Sequence, residues 1–328
     1  MIVSWNSTNK CNMYCKHCYR DAGMQAEQEL STLEAKELIN EIAKAGFKIM
    51  IFSGGEPLMR PDIYELVNYA SKLGLRSVLG SNGVMITREV AKRLKASGAM
   101  GVGISLDSLN AKKHDEFRNY NGAWRETVLG MKNCRDEGLP FQVHTTVMLW
   151  NRDEILDLTD FAVGMGAVAH HTFFLVPTGR GEDIENESLT PEMYEELLRA
   201  IMMKQKNVDI ELKPTCAPQF MRIAREMEMN LRYGRGCLAG TSYCIISPIG
   251  DVQPCAYLNM PIGNIRKNKF SEIWRDNKIF KELRTLEYKG KCGVCKHKKA
   301  CGGCRARAAF YNNGDYMAEE EWCQYSNS

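Results

Sequence analysis

Three cysteines near the start of the chain have a spacing that can do metal chemistry. They lie in Lys10-Cys11-Asn12-Met13-Tyr14-Cys15-Lys16-His17-Cys18-Tyr19, a C-x3-C-x2-C run. Thiolates are soft ligands, and in a reducing compartment they serve zinc or an iron–sulfur cluster. A structural zinc site is closed by four ligands, commonly in paired C-x2-C units. This run offers three unevenly spaced thiols, and no histidine follows at zinc-finger spacing. His17 lies too close to Cys18 for both to reach one ion. A cubane held by three thiolates keeps one iron without a protein ligand, and an open position is what a catalytic centre needs.

The chain has 13 cysteines in all. Cys134 and Cys216 stand alone, and the rest crowd the tail as Cys237, Cys244, Cys255, Cys292, Cys295, Cys301, Cys304 and Cys323. The change in density places an expected boundary near residue 230, between one domain over 1–230 and a second over 231–328. Cys134 reads as a small buried apolar residue. The 328 residues carry 43 Lys+Arg against 40 Asp+Glu, a formal charge of +3. So even a balance argues against a dedicated nucleic-acid binder. No apolar run is long enough to span a membrane, and no basic-then-apolar leader opens the chain. The expected location is cytoplasmic, where thiols stay reduced and bind metal rather than pair.

The elements that must position the first three cysteines alternate in type. Strands are expected over Ile2–Trp5, Phe47–Phe52, Arg76–Leu79, Met100–Leu106, Phe141–Leu149 and His171–Val176. Between and after them, helices are expected to Ala45 from a cap at Ser31 or Thr32, then Pro61–Gly74, Thr87–Ser97, Trp124–Glu137, Asp153–Met165 and Thr190–Lys204. Repeated strand–helix units of about 25–30 residues imply a parallel sheet covered by helices. The fold class is α/β, a partial (β/α)6 TIM-like barrel followed by a cysteine-rich domain. In such barrels the functional loops lie at the C-terminal ends of the strands.

That rule selects a set of loops. After the second strand comes Ser53-Gly54-Gly55-Glu56-Pro57, where two glycines let backbone approach a ligand and Glu56 can accept from an ammonium. After the third comes Gly80-Ser81-Asn82-Gly83, and after the fourth Ser105-Leu106-Asp107-Ser108, short polar groups suited to ribose hydroxyls. His114-Asp115-Glu116-Phe117-Arg118 reads equally well as a solvated helix start. The fifth strand supplies Thr145-Thr146 and then Asn151. In order and strand position, the C-x3-C-x2-C loop, GGEP and S-x-D resemble the radical S-adenosylmethionine (SAM) enzymes over about the first 180 residues. The resemblance implies a [4Fe–4S] cluster on Cys11, Cys15 and Cys18, with SAM chelating the open iron. It places Gly54, Gly55, Glu56 and Pro57 against the methionine part, and Asn82, Ser105 and Asp107 near the ribose or sulfonium. Tyr14, Tyr19 or His17 is implied against the adenine. The reaction implied is reductive SAM cleavage to a carbon radical that abstracts hydrogen from an unactivated C–H bond.

Past the sixth strand, Pro177-Thr178-Gly179-Arg180-Gly181 puts a guanidinium where a substrate carboxylate would sit, or where it would pin the loop to a neighbouring acid. Adjacent His170 and His171 face opposite sides of a strand, so at most one of them, taken here as His171, points inward, either as an ordinary core or rim histidine or as a ligand of a substrate iron. Cys216, in Lys213-Pro214-Thr215-Cys216-Ala217-Pro218, faces the substrate or is a buried thiol. The tail order, G-x4-C at Gly250 to Cys255, then Cys292-x2-Cys295-x5-Cys301-x2-Cys304 and a closing Cys323, resembles the SPASM domain of many radical SAM enzymes. Two auxiliary [4Fe–4S] clusters follow from that resemblance. Cys237, Cys244, Cys255 and Cys304 would hold one, and Cys292, Cys295, Cys301 and Cys323 the other. The usual x3 before the last clustered cysteine is x2 here.

The runs F-L-V-P-T-G-R-G, K-P-T-C-A-P-Q and C-G-G-C-R-A-R-A resemble the haem-biosynthesis branch of these enzymes. That implies an iron tetrapyrrole substrate and a low-potential electron donor of ferredoxin or flavodoxin type. The reaction implied is oxidative decarboxylation of two propionates of Fe-coproporphyrin III to vinyls, giving haem b in the siroheme-dependent route. Removal of acetate side chains from didecarboxysiroheme, or modification of a haem d1 precursor, stays an alternative. A peptide maturase is a weaker one, since the chain begins almost at its first barrel strand.

Overall fold

The computed structural model describes residues 1–23 and 28–325. Ten strands form one sheet: β1 (Ile2–Thr8), β2 (Ile49–Gly54), β3 (Arg76–Ser81), β4 (Gly101–Ser105), β5 (Phe141–Val147), β6 (Ala169–Phe174), β7 (Glu211–Thr215), β8 (Tyr243–Ile246), β9 (Asp251–Gln253) and β10 (Gly263–Asn264). Their order is β10-β9-β8-β1-β2-β3-β4-β5-β6-β7. From β1 to β7 every neighbouring pair is parallel, as strand–helix–strand connections require.

Two features differ from the sequence expectation of six strands and a separate tail. Lys213-Pro214 lies within a seventh parallel strand. Proline cannot donate to a ladder, but β7 ends the strand order and pairs with β6 alone, so no hydrogen bond is lost. At the other end, β8 from the tail pairs in parallel with β1, with Val3 opposite Cys244. The cysteine-rich region thus continues the barrel sheet.

The helices close where local chemistry closes them. Ser31 and Glu34 form a reciprocal capping box at the start of the helix Thr32–Lys44. Glu34 also pairs with Arg266 of the tail at 2.6 Å. Thr87 and Thr190 cap the helices Arg88–Ala96 and Pro191–Gln205 through their hydroxyls alone, accepting from Val90 N–H and Met193 N–H.

Side chains alternate along the strands. Val143, Thr145 and Val147 of β5 are buried under helices, while Gln142, His144 and Thr146 are half-buried on the other face. Strands β2, β3, β6 and β7 repeat the alternation. The inner face is therefore an accessible lumen, and the core lies between sheet and helices, anchored by fully buried Phe47, Phe52, Phe141 and Phe174. Cys134 is fully buried within that core.

Candidate active site

β1 feeds directly into the first cysteine loop, which closes on itself. Cys11 N–H donates to the Gly23 carbonyl at 2.8 Å, and Gly23 N–H to the Asn9 carbonyl at 3.0 Å. The neighbouring loop after β2 is stitched to it. Gly55 N–H donates to the Thr8 carbonyl and Glu56 N–H to the Lys10 carbonyl, both at 2.8 Å. A Cβ on Gly54 would lie 2.3 Å from the Thr8 carbonyl oxygen, and one on Gly55 2.2 Å from that of Lys10. These glycines are required by the meeting of two backbones, a different reason from the ligand approach expected from sequence. The effect is to fix Glu56 relative to Cys11.

The Glu56 carboxylate is fully buried. It accepts from Asn82 N–H at 2.9 Å, Leu58 N–H at 3.2 Å and the Ser81 hydroxyl at 3.0 Å. Burial pushes its carboxyl up to about 7, against the pull of those hydrogen bonds. Pro57 begins the short turn Pro57–Met59 that presents Leu58 N–H. Asn82 donates through Nδ2 to Asn12 Oδ1 at 2.7 Å and so ties the β3 loop to the cysteine loop. Ser105 Oγ lies 3.4 Å from the Ser81 carbonyl oxygen.

Asp107, expected near the ribose or sulfonium, has its carboxylate turned to partners within the protein. Its carboxylate is fully buried and already occupied, accepting from Arg118 Nε at 2.7 Å and Thr146 N–H at 2.9 Å. Burial is the largest influence and would raise the Asp107 carboxyl; the charge and hydrogen bond of Arg118, with His17 and His114 close by, together outweigh it and hold the group below the usual carboxylate range. Arg118 Nη1 in turn lies 4.0 Å from Cys15 Sγ. Asp107 therefore acts on the cysteine loop through Arg118. His114 and Arg118 are four apart on the helix Ala111–Arg118, and both are buried. Sequence reading left that stretch undecided, although the shared helix face was a usable signal.

The three implied adenine partners have other contacts. His17 stacks on Phe117 with centroids 4.1 Å apart. Tyr19 donates to Asn6 Oδ1 at 3.0 Å and packs near Tyr257. Tyr14 is exposed, beneath the Arg180 guanidinium at 3.7 Å.

Arg180 is a correction. Its guanidinium donates to the Cys15 carbonyl at 2.8 Å, the Asp21 carboxylate at 2.5 Å and the Ala22 carbonyl at 3.1 Å, while its backbone N–H donates to the Cys18 carbonyl at 3.0 Å. It is a clamp on the cysteine loop, with its fork spent on that loop rather than on a substrate carboxylate.

The lumen face carries other polar groups. His170 points to the helix side, between the Thr145 and Thr159 hydroxyls at 2.9 Å each. His171 takes the inner face. It stacks nearly parallel to His144, centroids 5.3 Å apart, with Nε2 3.2 Å from a Glu211 carboxylate oxygen. A Cβ on Gly103 would sit 2.2 Å from His144 Cε1, so that glycine makes room for the ring. Lys213 shares the inner face of β7, and burial lowers its ammonium. His144 and Lys213 escaped the sequence reading, because only the register of β5 and β7 puts them beside His171.

In the tail, Cys292, Cys295, Cys301 and Cys323 line one cavity. Cys295 Sγ accepts from His297 N–H at 3.4 Å and Cys301 Sγ from Gly303 N–H at 3.5 Å. Hydrogen bonds of this kind tune cluster sulfurs. Gly302 and Gly303 both have positive φ, 81° and 58°. Their left-handed turn lets Cys301 face this cavity while Cys304 is buried in a separate small cluster against which Cys255 packs. Cys244 is a correction. It is fully buried in the apolar core on the helix side of β8, and of the charged groups only Arg284 acts on it. Cys216 and Cys255 both pack against the small buried cluster of Val176, Leu258, Cys304, Ala306 and Ala309.

Among the described residues no three His, Cys, Asp or Glu side chains converge on a single-ion site. Thiolates on a cubane each bind a different iron and stand further apart than four thiolates around one zinc. Three soft donors on one loop with a buried cation beside them fit a [4Fe–4S] cluster.

Residues 5–162 match the radical SAM superfamily, and residues 237–305 match SPASM, an iron–sulfur cluster-binding domain. The AdoMet-dependent heme synthase of Methanosarcina barkeri is 43% identical over 99% of this chain and 96% of its own. The AdoMet-dependent heme synthase of Nitratidesulfovibrio vulgaris is 44% identical over 99% of this chain and 92% of its own. The chain belongs to the radical SAM enzymes with a SPASM domain, in the AdoMet-dependent haem synthase branch. As a radical SAM enzyme it uses a [4Fe–4S] cluster with SAM, and its SPASM domain carries auxiliary iron–sulfur chemistry. The fold is shared with Streptococcus suis SuiB bound to SAM, at TM-score 0.79 and 17% identity over 99% of this chain and 77% of that one. Among the described residues no helix of this radical SAM enzyme is long and apolar enough to cross a membrane.

Proposed function

We propose that this enzyme converts Fe-coproporphyrin III to haem b by oxidative decarboxylation of two propionates, as in a siroheme-dependent route. The observation that carries the reading is a gap in similarity. Proteins named AdoMet-dependent heme synthase share 43% and 44% of residues with this chain over nearly its full length, against 31% for the Fe-coproporphyrin III synthase of Methanosarcina barkeri. When bound, the cluster and SAM supply a primary carbon radical able to remove hydrogen from an unactivated C–H bond.

This chain's own residues do the positioning. Cys11, Cys15 and Cys18 hold the cluster, with Arg180 and Arg118 fixing the loop on either side. Glu56 accepts from the SAM ammonium, and Gly54, Gly55, Pro57, Asn82 and Ser105 shape the walls of that pocket. The sheltered lumen keeps water from a reactive radical. His171 and His144 face the tetrapyrrole, and Lys213 is the cation for a propionate, the part Arg180 cannot play. Each side chain loses a hydrogen atom from its β-carbon, its carboxyl as CO2 and one electron to an acceptor, leaving a vinyl group. A low-potential ferredoxin or flavodoxin supplies the electron that starts each turn.

The test is Fe-coproporphyrin III deuterated at the propionate β-carbons, incubated anaerobically with SAM and a reductant. Deuterium in 5′-deoxyadenosine, with haem b and CO2 formed together, is the expected result. Unlabelled 5′-deoxyadenosine beside haem b would remove the proposed abstraction site.

A further inference from the structure

Charge is nearly balanced over the whole chain, with 43 Lys+Arg against 40 Asp+Glu, but not over one stretch of the tail. Between Tyr288 and Cys301 the sequence reads Lys-Gly-Lys-Cys-Gly-Val-Cys-Lys-His-Lys-Lys-Ala, five lysines with no acid among them. The fold leaves most of that charge unpaired. Lys289 meets Asp315 at 2.6 Å. Among the described residues, Lys291, Lys296, Lys298 and Lys299 have no carboxylate within ion-pair distance. Lys291 Nζ donates to the Cys323 carbonyl at 3.3 Å and Lys298 Nζ to the Gly293 carbonyl at 2.9 Å. Lys296 lies over the Tyr325 ring at 5.7 Å, and both Lys296 and Lys299 are exposed. Three acids of the neighbourhood are already engaged. Glu319 accepts from Lys291 N–H at 2.5 Å, Glu320 is buried against Arg307, and Glu226 pairs with Arg222 and Arg199.

These lysines surround a site built for electron chemistry. Lys291 and Lys298 line the same cavity as Cys292, Cys295, Cys301 and Cys323. Val294, directly before Cys295, stands 79% exposed. A small apolar contact inside a charged rim is the anatomy of a weak, transient protein interface. The rim of the N-terminal trio is different: the surface cavity beside it sets Lys16 against Asp115 and Glu116, a mixture of signs. A nucleic acid would need a longer basic stripe than this one segment supplies.

We propose that the lysine-rimmed face around Val294 docks an acidic one-electron carrier protein of the flavodoxin class, which takes up the electron released in each turn. The carrier gains one electron, the iron–sulfur group of the tail is oxidised by one, and no bond is made or broken across the interface. The outgoing electron comes from the oxidative reaction proposed above. Docking itself depends only on iron–sulfur chemistry in the tail, and not on which tetrapyrrole is turned over.

For the test, the full chain is reconstituted anaerobically, reduced, freed of reductant and mixed with an oxidised acidic flavodoxin, without SAM or tetrapyrrole. Stopped-flow absorbance follows the flavin semiquinone. The wild-type rate should fall steeply with added salt. Lys296→Glu combined with Lys299→Glu should lower it about 10–100-fold at low salt and flatten the salt dependence, with iron content and SAM cleavage by a chemical reductant unchanged. Lys296→Gln combined with Lys299→Gln should fall between the two, and it serves in place of the reversal if that variant loses iron. Lys72→Glu combined with Lys92→Glu, two exposed lysines on barrel helices, should match the wild type. No semiquinone with the wild type, an unchanged rate in both tail variants, or an equal drop in the barrel variant overturns the docking site. So does blockage by duplex DNA at physiological salt, which would mark a general polyanion surface. With no tetrapyrrole present, failure here and failure of the haem b assay are separate results.

Discussion

The two cysteine-rich regions are built in opposite ways. The N-terminal trio comes from eight consecutive residues, Cys11 to Cys18, on a loop held by outside clamps: Arg180 from beyond β6, Arg118 from a helix after β4, and Glu56 and Asn82 from the loops after β2 and β3. The tail thiols are gathered from distant segments, with a glycine pair steering neighbours Cys301 and Cys304 to different groups. In the first region, spacing along the chain is the site. In the second, strand direction decides which face each cysteine takes, and it turns Cys244 into the apolar core.

The contrast can be broken most severely at the trio. Cys15→Ala should abolish reductive SAM cleavage, read as 5′-deoxyadenosine by chromatography, and leave the auxiliary signals in EPR. Residual cleavage at the wild-type rate would show that the loop is not the SAM cluster site. Arg118→Met comes next. It strands the buried Asp107 carboxylate and should cost about 3–5 kcal/mol, seen as a lowered melting temperature of the holoprotein, whereas a merely supportive pair would leave it unchanged. Arg180→Ala should lower SAM cleavage and tetrapyrrole turnover together, by about 10–100-fold, because the clamp acts on the loop. Loss of turnover alone would return Arg180 to the substrate.

A pH experiment sharpens the same region. Burial lifts Glu56 to about 7, so it is neutral below that pH and cannot pair with an ammonium. SAM affinity should fall as pH drops through about 7, and Glu56→Gln should be weak and flat across the range; calorimetric titration reads both. Least affected is Cys244→Ala, which should cost about 1 kcal/mol as a small core truncation and spare SAM cleavage.

The parallel strand–helix repeat, the cap at Ser31 and the three-thiol loop were legible because each is written in local pattern. The loops after β2, β3 and β4 were found by the strand-end rule, but what their residues touch was not. Asp107 looked like a ribose ligand because Arg118 lies eleven residues away on the face of a helix. Arg180 looked free because its partners, Cys15, Asp21 and Ala22, come from the start of the chain. β7 was hidden by Pro214, which an edge strand tolerates. Cys244 was misassigned because alternation along β8, unlike cysteine spacing, depends on the pairing of that strand with β1.

The central claim is the choice of substrate and side chain, and a single anaerobic assay addresses it. The reconstituted enzyme is given SAM, reductant and equal amounts of Fe-coproporphyrin III and iron didecarboxysiroheme, and every tetrapyrrole is followed by mass spectrometry. The expected result is stepwise loss of CO2 and hydrogen from Fe-coproporphyrin III at two propionates, ending at haem b, with the other compound unchanged. Loss of acetate side chains from didecarboxysiroheme, with Fe-coproporphyrin III untouched, would contradict it.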